Sequence, residues 1–126
     1  MTLTRWLVDG NNVMGTRPDG WWRDRPGAQR RLADELRAFA QRTGEPLTVV
    51  FDGAPVDIEA APPGFEVAFA ERRGRDAADD AIVQRVADAG DSAAALRVVT
   101  SDRALADRVR ALGAEVTPAR ALLDLL

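Results

Sequence analysis

The sequence predicts an α/β fold in which a parallel sheet is covered by helices, and three features of the chain carry that prediction. Short runs of β-branched and aliphatic residues alternate with longer stretches of helical periodicity, the pattern left by parallel strands joined through crossover helices. Three of those runs end in an aspartate or lead straight into one. Two irregular stretches, residues 15–25 and 53–64, each follow a strand, at the end of an open α/β sheet where ligand-framing loops gather.

Five strands are expected, at residues 5–9, 47–51, 66–69, 97–100 and 114–117. Asp9 before Gly10 and Asp52 before Gly53 also suit plain turns, as do Asn11 and Asn12. Leu32, Leu36, Phe39 and Ala40 recur at helical spacing, so a helix is expected over 26–42, stopped by Gly44 with Pro46 beyond. A second helix is read over 76–89, with Ile82, Val83 and Val86 as its apolar face. A third, over 102–112, buries Leu105, Val109 and Leu112 and ends at Gly113. Thr117 then caps a short final helix with Pro118 at its first position, and Leu122, Leu123, Leu125 and Leu126 pack back onto the sheet. With 126 residues and 46% hydrophobic content, one core and one domain over 1–126 are expected.

Composition narrows the chemistry. The chain has no cysteine, histidine or tyrosine, and all 17 basic residues are arginine. Disulfides, thiolate nucleophiles, Ser-His pairs, Schiff-base lysines and soft-metal sites are therefore excluded. What remains is Asp and Glu, and oxygen-only ligation suits Mg²⁺ or Mn²⁺. A net charge of -3 argues against indiscriminate adhesion to nucleic acid, yet the arginines cluster locally at 17–31 and 72–75. No apolar run is long enough to cross a membrane and no secretory layout opens the chain, so a cytoplasmic protein without a membrane partner is expected.

Leu7-Val8-Asp9, Val50-Phe51-Asp52 and Thr100-Ser101-Asp102 each bring an acid to the end of a strand. Parallel neighbours align their carboxyl ends, so such acids converge, and a converged cluster repels itself unless a divalent cation neutralises it. Thr100, Ser101 or Asp102 equally suits a helix cap. A further acidic group, Asp76, Asp79 and Asp80, opens the second helix. Asp79 shares the stripe of 82, 83 and 86, whereas Asp80 points about 100° away. A capping box from Asp76 to Asp79 is the structural alternative. Asn12 can orient a carboxylate without adding charge. Trp21 and Trp22 beside Arg23 and Arg25 offer stacking faces and phosphate forks, or else a hydrophobic lid on the first long helix. Arg73, Arg75 and Arg103 flank the acids, where phosphates would approach.

Asp9-Gly10-Asn11-Asn12-Val13, Val49-Val50-Phe51-Asp52, Ala78-Asp79-Asp80 and Val99-Thr100-Ser101-Asp102-Arg103 resemble, in order and spacing, the NYN branch of the PIN-like ribonucleases, most closely its bacterial YacP-like group. The resemblance runs from Arg5 to about Leu123. It implies a PIN-like three-layer α/β/α sandwich whose five parallel strands lie in the order 3-2-1-4-5, a Mg²⁺ or Mn²⁺ site, and endonucleolytic cleavage of RNA. By the same resemblance Asp9, Asp79 and Asp102 match the principal metal-binding acids, Asp52 is a further one, and Asn12 and Ser101 support the site. Asn11 stands where relatives often carry tyrosine, and Asp76 where glutamate is common, which leaves open whether Asp76 or Asp80 assists Asp79.

A metal-dependent endoribonuclease is thus the expected function, with Arg23, Arg25, Arg73, Arg75 and Arg103 on the RNA. The alternative is a non-catalytic RNA-binding or ribosome-associated module that keeps the acid cluster. A receiver or haloacid-dehalogenase-like phosphatase is disfavoured, since both, by analogy, use a lysine beside the phosphate.

Overall fold

The computed structural model describes residues 4–58, 63–70 and 76–126. In chain order these form β1 (Arg5–Asp9), α1 (Gly10–Thr16), a turn of 3-10 helix at Trp21–Arg23, α2 (Arg25–Thr43), β2 (Leu47–Asp52) and β3 (Phe65–Ala70). There follow α3 (Ala77–Ala89), a second 3-10 stretch at Gly90–Ala95, β4 (Leu96–Val99), α4 (Arg103–Ala111), β5 (Glu115–Thr117) and α5 (Ala119–Leu123). All five strands are parallel, in the order β3-β2-β1-β4-β5. The order is the one implied by the resemblance.

Strand alternation decides what each helix covers. Side chains two apart share a face, so Trp6 and Val8 of β1 point one way, with Val49 and Phe51 of β2, while Leu7 points the other way with Val50 and Val98. The first face is covered by Leu32, Leu36 and Phe39 of α2, Val13 and Met14 of α1, and Leu122 of α5. The second is covered by Ile82 and Val86 of α3 and Leu105 and Val109 of α4. Each large aliphatic or aromatic side chain buried this way contributes about 1.5–3 kcal/mol. The result is an α/β/α sandwich with the central strands nearly apolar throughout, as burial on both faces requires.

The main departure from the sequence reading follows β1. Residues 10–16, for which the sequence predicts no element and whose start also suits a plain turn, form a helix, and Gly10 is its buried first residue. A β-carbon there would lie 2.6 Å from the Phe51 ring and 2.9 Å from Val49 Cγ2, so only glycine lets α1 start this close to β2. Smaller differences have local causes. Leu112 is 41% exposed, not buried, because it is the residue on which the chain leaves α4 before Gly113. Leu125 is also exposed, while Leu122 is buried and Leu123 and Leu126 pack against the core. Pro118 precedes α5 instead of opening it. Arg73 and Arg75 lie outside the described residues.

Candidate active site

The alternation that sorts the core also aims the acids. Asp9 shares the parity of Leu7, so it leaves the end of β1 toward the α3 and α4 side. Its register partner on β2 is Val50, and on β4 the adjacent Val8 pairs with Val99, which places Thr100 beside Asp9. The Thr100 hydroxyl donates to Asp9 Oδ2 at 2.9 Å and accepts the Asp102 N–H at 3.1 Å. Both Asp9 and Thr100 are buried, at 4% and 2% exposure. The Asn12 N–H lies close enough to favour the Asp9 charge, although Asp9 makes no side-chain cap bond to α1.

Burial pushes the Asp9 pKa up to about 6; the hydrogen bond from Thr100 and the nearby Asn12 N–H oppose this, while the charges of Asp79 and Asp102 add to it. Asp79, half-buried near the start of α3, is also raised, first by burial and then by Asp102 and Asp76, with Arg108 opposing. Three acids from β1, α3 and the entry to α4 therefore act on one another electrostatically, although 70 residues separate the first from the second. A site that holds mutually repelling carboxylates in partial burial favours a positive occupant.

Asp102 serves as the N-cap of α4, its Oδ1 accepting the Ala104 and Leu105 N–H groups at 2.9 and 3.2 Å. The expected cap and the expected site residue are the same side chain. At α3 the capping-box alternative does not form: Asp76 precedes the helix without a side-chain cap bond. Asp80 accepts from Arg108 at 3.1 Å, which sets it toward α4 while Asp79 faces the other two acids.

The supporting polar residues knit the loops together. Asn12 Oδ1 accepts the Ser101 N–H at 2.7 Å, and Ser101 Oγ accepts the Ala119 N–H at 3.0 Å, tying α1, the end of β4 and the start of α5. Asn11 forms a two-bond pair with Asp52, donating from Nδ2 at 2.8 Å and accepting the Asp52 N–H at 2.9 Å. Arg25 adds a third bond to Asp52 at 3.0 Å. Asp52 lies two residues past the register partner of Asp9, about 7 Å further along the strand direction, and it bonds Asn11 and Arg25. The structure thus brings Asp9, Asp79 and Asp102 together and places Asp52 on a neighbouring polar cluster. Arg23 lies over the Trp22 ring, and Arg103 is the exposed first residue of α4. Thr100, weighed in the sequence only as a cap, is the residue that joins two of the acids; Arg108, whose partner Asp80 is 28 residues away, was not singled out in the sequence at all.

Among the described residues no three acids draw together tightly enough to cage an ion unaided. The donor set nonetheless fits Mg²⁺ or Mn²⁺: it is all oxygen, and Mg²⁺ characteristically takes one or two carboxylates and keeps several waters. A cavity of about 500 Å³ opens elsewhere, at the amino ends of the strands by Arg5, Leu47, Phe65 and Leu96. It is remote from the acids.

A sequence profile described as the YacP-like NYN domain matches residues 6–126. The chain belongs to that family. Two crystal structures of Rae1 (YacP) from Bacillus subtilis share the fold of this NYN domain. A mutant form is 26% identical with a TM-score of 0.78, covering 97% of this chain and 74% of that one. The other is 24% identical with a TM-score of 0.71, covering 97% and 72%. No curated protein matches the chain in sequence. The NYN domain is nuclease-like, and among its described residues no helix is long and apolar enough to cross a membrane.

Proposed function

We propose that this NYN domain is a Mg²⁺- or Mn²⁺-dependent endoribonuclease whose centre is formed by Asp9, Asp79 and Asp102. The observation that carries the reading is the buried Asp9 carboxylate, oriented by Thr100 and raised in pKa by burial and by the two other acids. Family membership supports it, since nuclease-like domains of this kind commonly use divalent metal.

Asp9 and Asp102 would hold the ion, with Asp79 facing it from α3 and Asp76 or Asp80 assisting by charge. A cation bound there lowers the pKa of an attacking water and neutralises the phosphate, so no histidine is needed. Thr100 fixes one oxygen of Asp9 and leaves the other to the site. Asn12 and Ser101 hold the β4 loop against α1, which keeps Asp102 in place, where its carboxylate would help hold the ion. Asp52, with Asn11 and Arg25, borders the centre on the β2 side and completes the acidic set. Arg23, Arg25 and Arg103 would grip the RNA backbone, together with Arg73 and Arg75. The domain is proposed to be a single unit over 1–126, acting in the cytoplasm on RNA. A non-catalytic RNA-binding or ribosome-associated module that keeps the acid cluster is the second reading.

Asp9→Asn should abolish Mn²⁺-stimulated cleavage of an RNA oligonucleotide, with circular dichroism unchanged. Equal cleavage by the variant, or no metal-dependent cleavage by the wild-type chain, would remove the catalytic reading.

A further inference from the structure

Trp22 takes no part in the core or the acidic centre. It is 59% exposed, whereas Trp6 is buried edge-on against Phe39 and Trp21 packs on the core over Gly15. Its position is fixed by a stapled turn. Gly20, at φ 75°, turns the chain; the Arg23 N–H donates to Gly20 O and the Asp24 N–H to Trp21 O. Asp24 then caps α2 by accepting the Gly27 N–H. Trp21 meets Trp22 edge-on, with ring centroids 5.9 Å apart.

The surroundings of this indole are charged, not apolar. Arg23 lies over the ring at 5.7 Å from its centroid. Arg25 follows, exposed and bonded to Asp52 at the carboxyl end of β2. Three residues of chain span at most about 11 Å, so Trp22 stands on the rim of the strand ends that carry the acids. A protein-docking surface would call for a contiguous apolar patch. Here one ring stands among Arg23, Asp24 and Arg25, all exposed.

We propose that Trp22 is a stacking subsite for an unpaired base, with Arg23 and Arg25 placed to meet neighbouring phosphates. The proposal rests on the ribonuclease reading and adds to it a base contact outside the acidic centre. Two arginines follow Trp22, one over its ring and one paired with Asp52 at the end of β2, so a base stacked on the exposed indole would bring its phosphates close to guanidinium groups. In a duplex each base is already stacked on both sides and hidden from such a ring.

The test is fluorescence anisotropy of a labelled single-stranded oligoribonucleotide and of its duplex, without divalent metal so that the strands stay intact. Wild type, Trp22→Ala, Trp22→Phe and Asp9→Asn are compared. Trp22→Ala should weaken single-strand binding about 5- to 150-fold, the range base–aromatic stacking supplies, while duplex binding stays unchanged and Trp22→Phe recovers most of the loss. Single-strand affinity unchanged in Trp22→Ala overturns the subsite and assigns the exposed ring to a protein contact. Asp9→Asn separates the two ideas: it should bind single strands like wild type and cleave none. Cleavage by wild type with an indifferent Trp22→Ala leaves the nuclease standing and the subsite refuted. A wild-type chain that binds neither strand refutes both.

Discussion

Burying the Asp9 carboxylate beside two other acids raises its pKa from 3.8 to about 6, and the consequence for stability has a definite sign. The folded chain holds that proton more tightly than the unfolded chain. Its contribution is therefore fully present below about pH 4 and is lost as pH rises through about 6. The metal-free protein should melt at progressively lower temperature from pH 4 to pH 7, with Asp79, also raised, acting in the same direction. Asp9→Asn should remove much of that slope and be more stable at pH 7.5, by at most about 3 kcal/mol. Thermal denaturation against pH decides; parallel profiles for the two proteins would contradict the assigned burial. Thr100→Val removes the hydroxyl that serves Asp9 and the Asp102 N–H. A cost of about 1–3 kcal/mol is expected from the unsatisfied partners, with cleavage down at least about tenfold, one pKa-unit equivalent of misplaced charge, and Thr100→Ser restoring both. The acids themselves were readable because strand-ending aspartates stand out against hydrophobic runs. Thr100 was not, since a threonine before Ser-Asp looks like a cap until the strand 91 residues upstream is laid beside it.

Among the elements, α1 depends on a single missing methyl group. Gly10→Ala puts a β-carbon 2.6 Å from two Phe51 ring atoms, and overpacking of this kind typically costs about 1–3 kcal/mol. The helix would shift away from β2, carrying with it Asn11 and Asn12, so chemical denaturation should show the loss and RNA cleavage should fall beyond it. Unaltered stability would mean that α1 sits further from the sheet. This helix was illegible because seven residues give no amphipathic repeat, and its burial of Val13 and Met14 becomes visible only once β2 is known to lie beneath it. The long helix α2, with 19 residues and Gly44 left-handed at its end, showed both its periodicity and its stop. Leu112 was misread for the opposite reason: it continues the apolar repeat of α4 at the point where the backbone has already left the helix.

For the whole molecule, the alternation of strands and helices specified the fold class, while the strand order came from the resemblance, since local patterning does not say which strands are neighbours. The proposed ion binding would be a property of the assembled end of the sheet and can be tested without any RNA. Mn²⁺ should raise the melting temperature of wild type at pH 7.5, by an amount equivalent to about 2.7 kcal/mol at one hundred times its dissociation constant, and should leave Asp9→Asn unmoved. A shift of equal size in both would place the ion elsewhere. The sheet order carries a temporal consequence. β1 occupies the middle, yet its second neighbour, β4, begins at Leu96, so a polypeptide emerging from synthesis has Asp9 long before it has Thr100 or Asp102 to set against it. Fragments ending before Leu96 lack Thr100 and Asp102 and, on the proposed reading, would not cleave RNA; the acidic centre is complete only when the last quarter of the chain has been made.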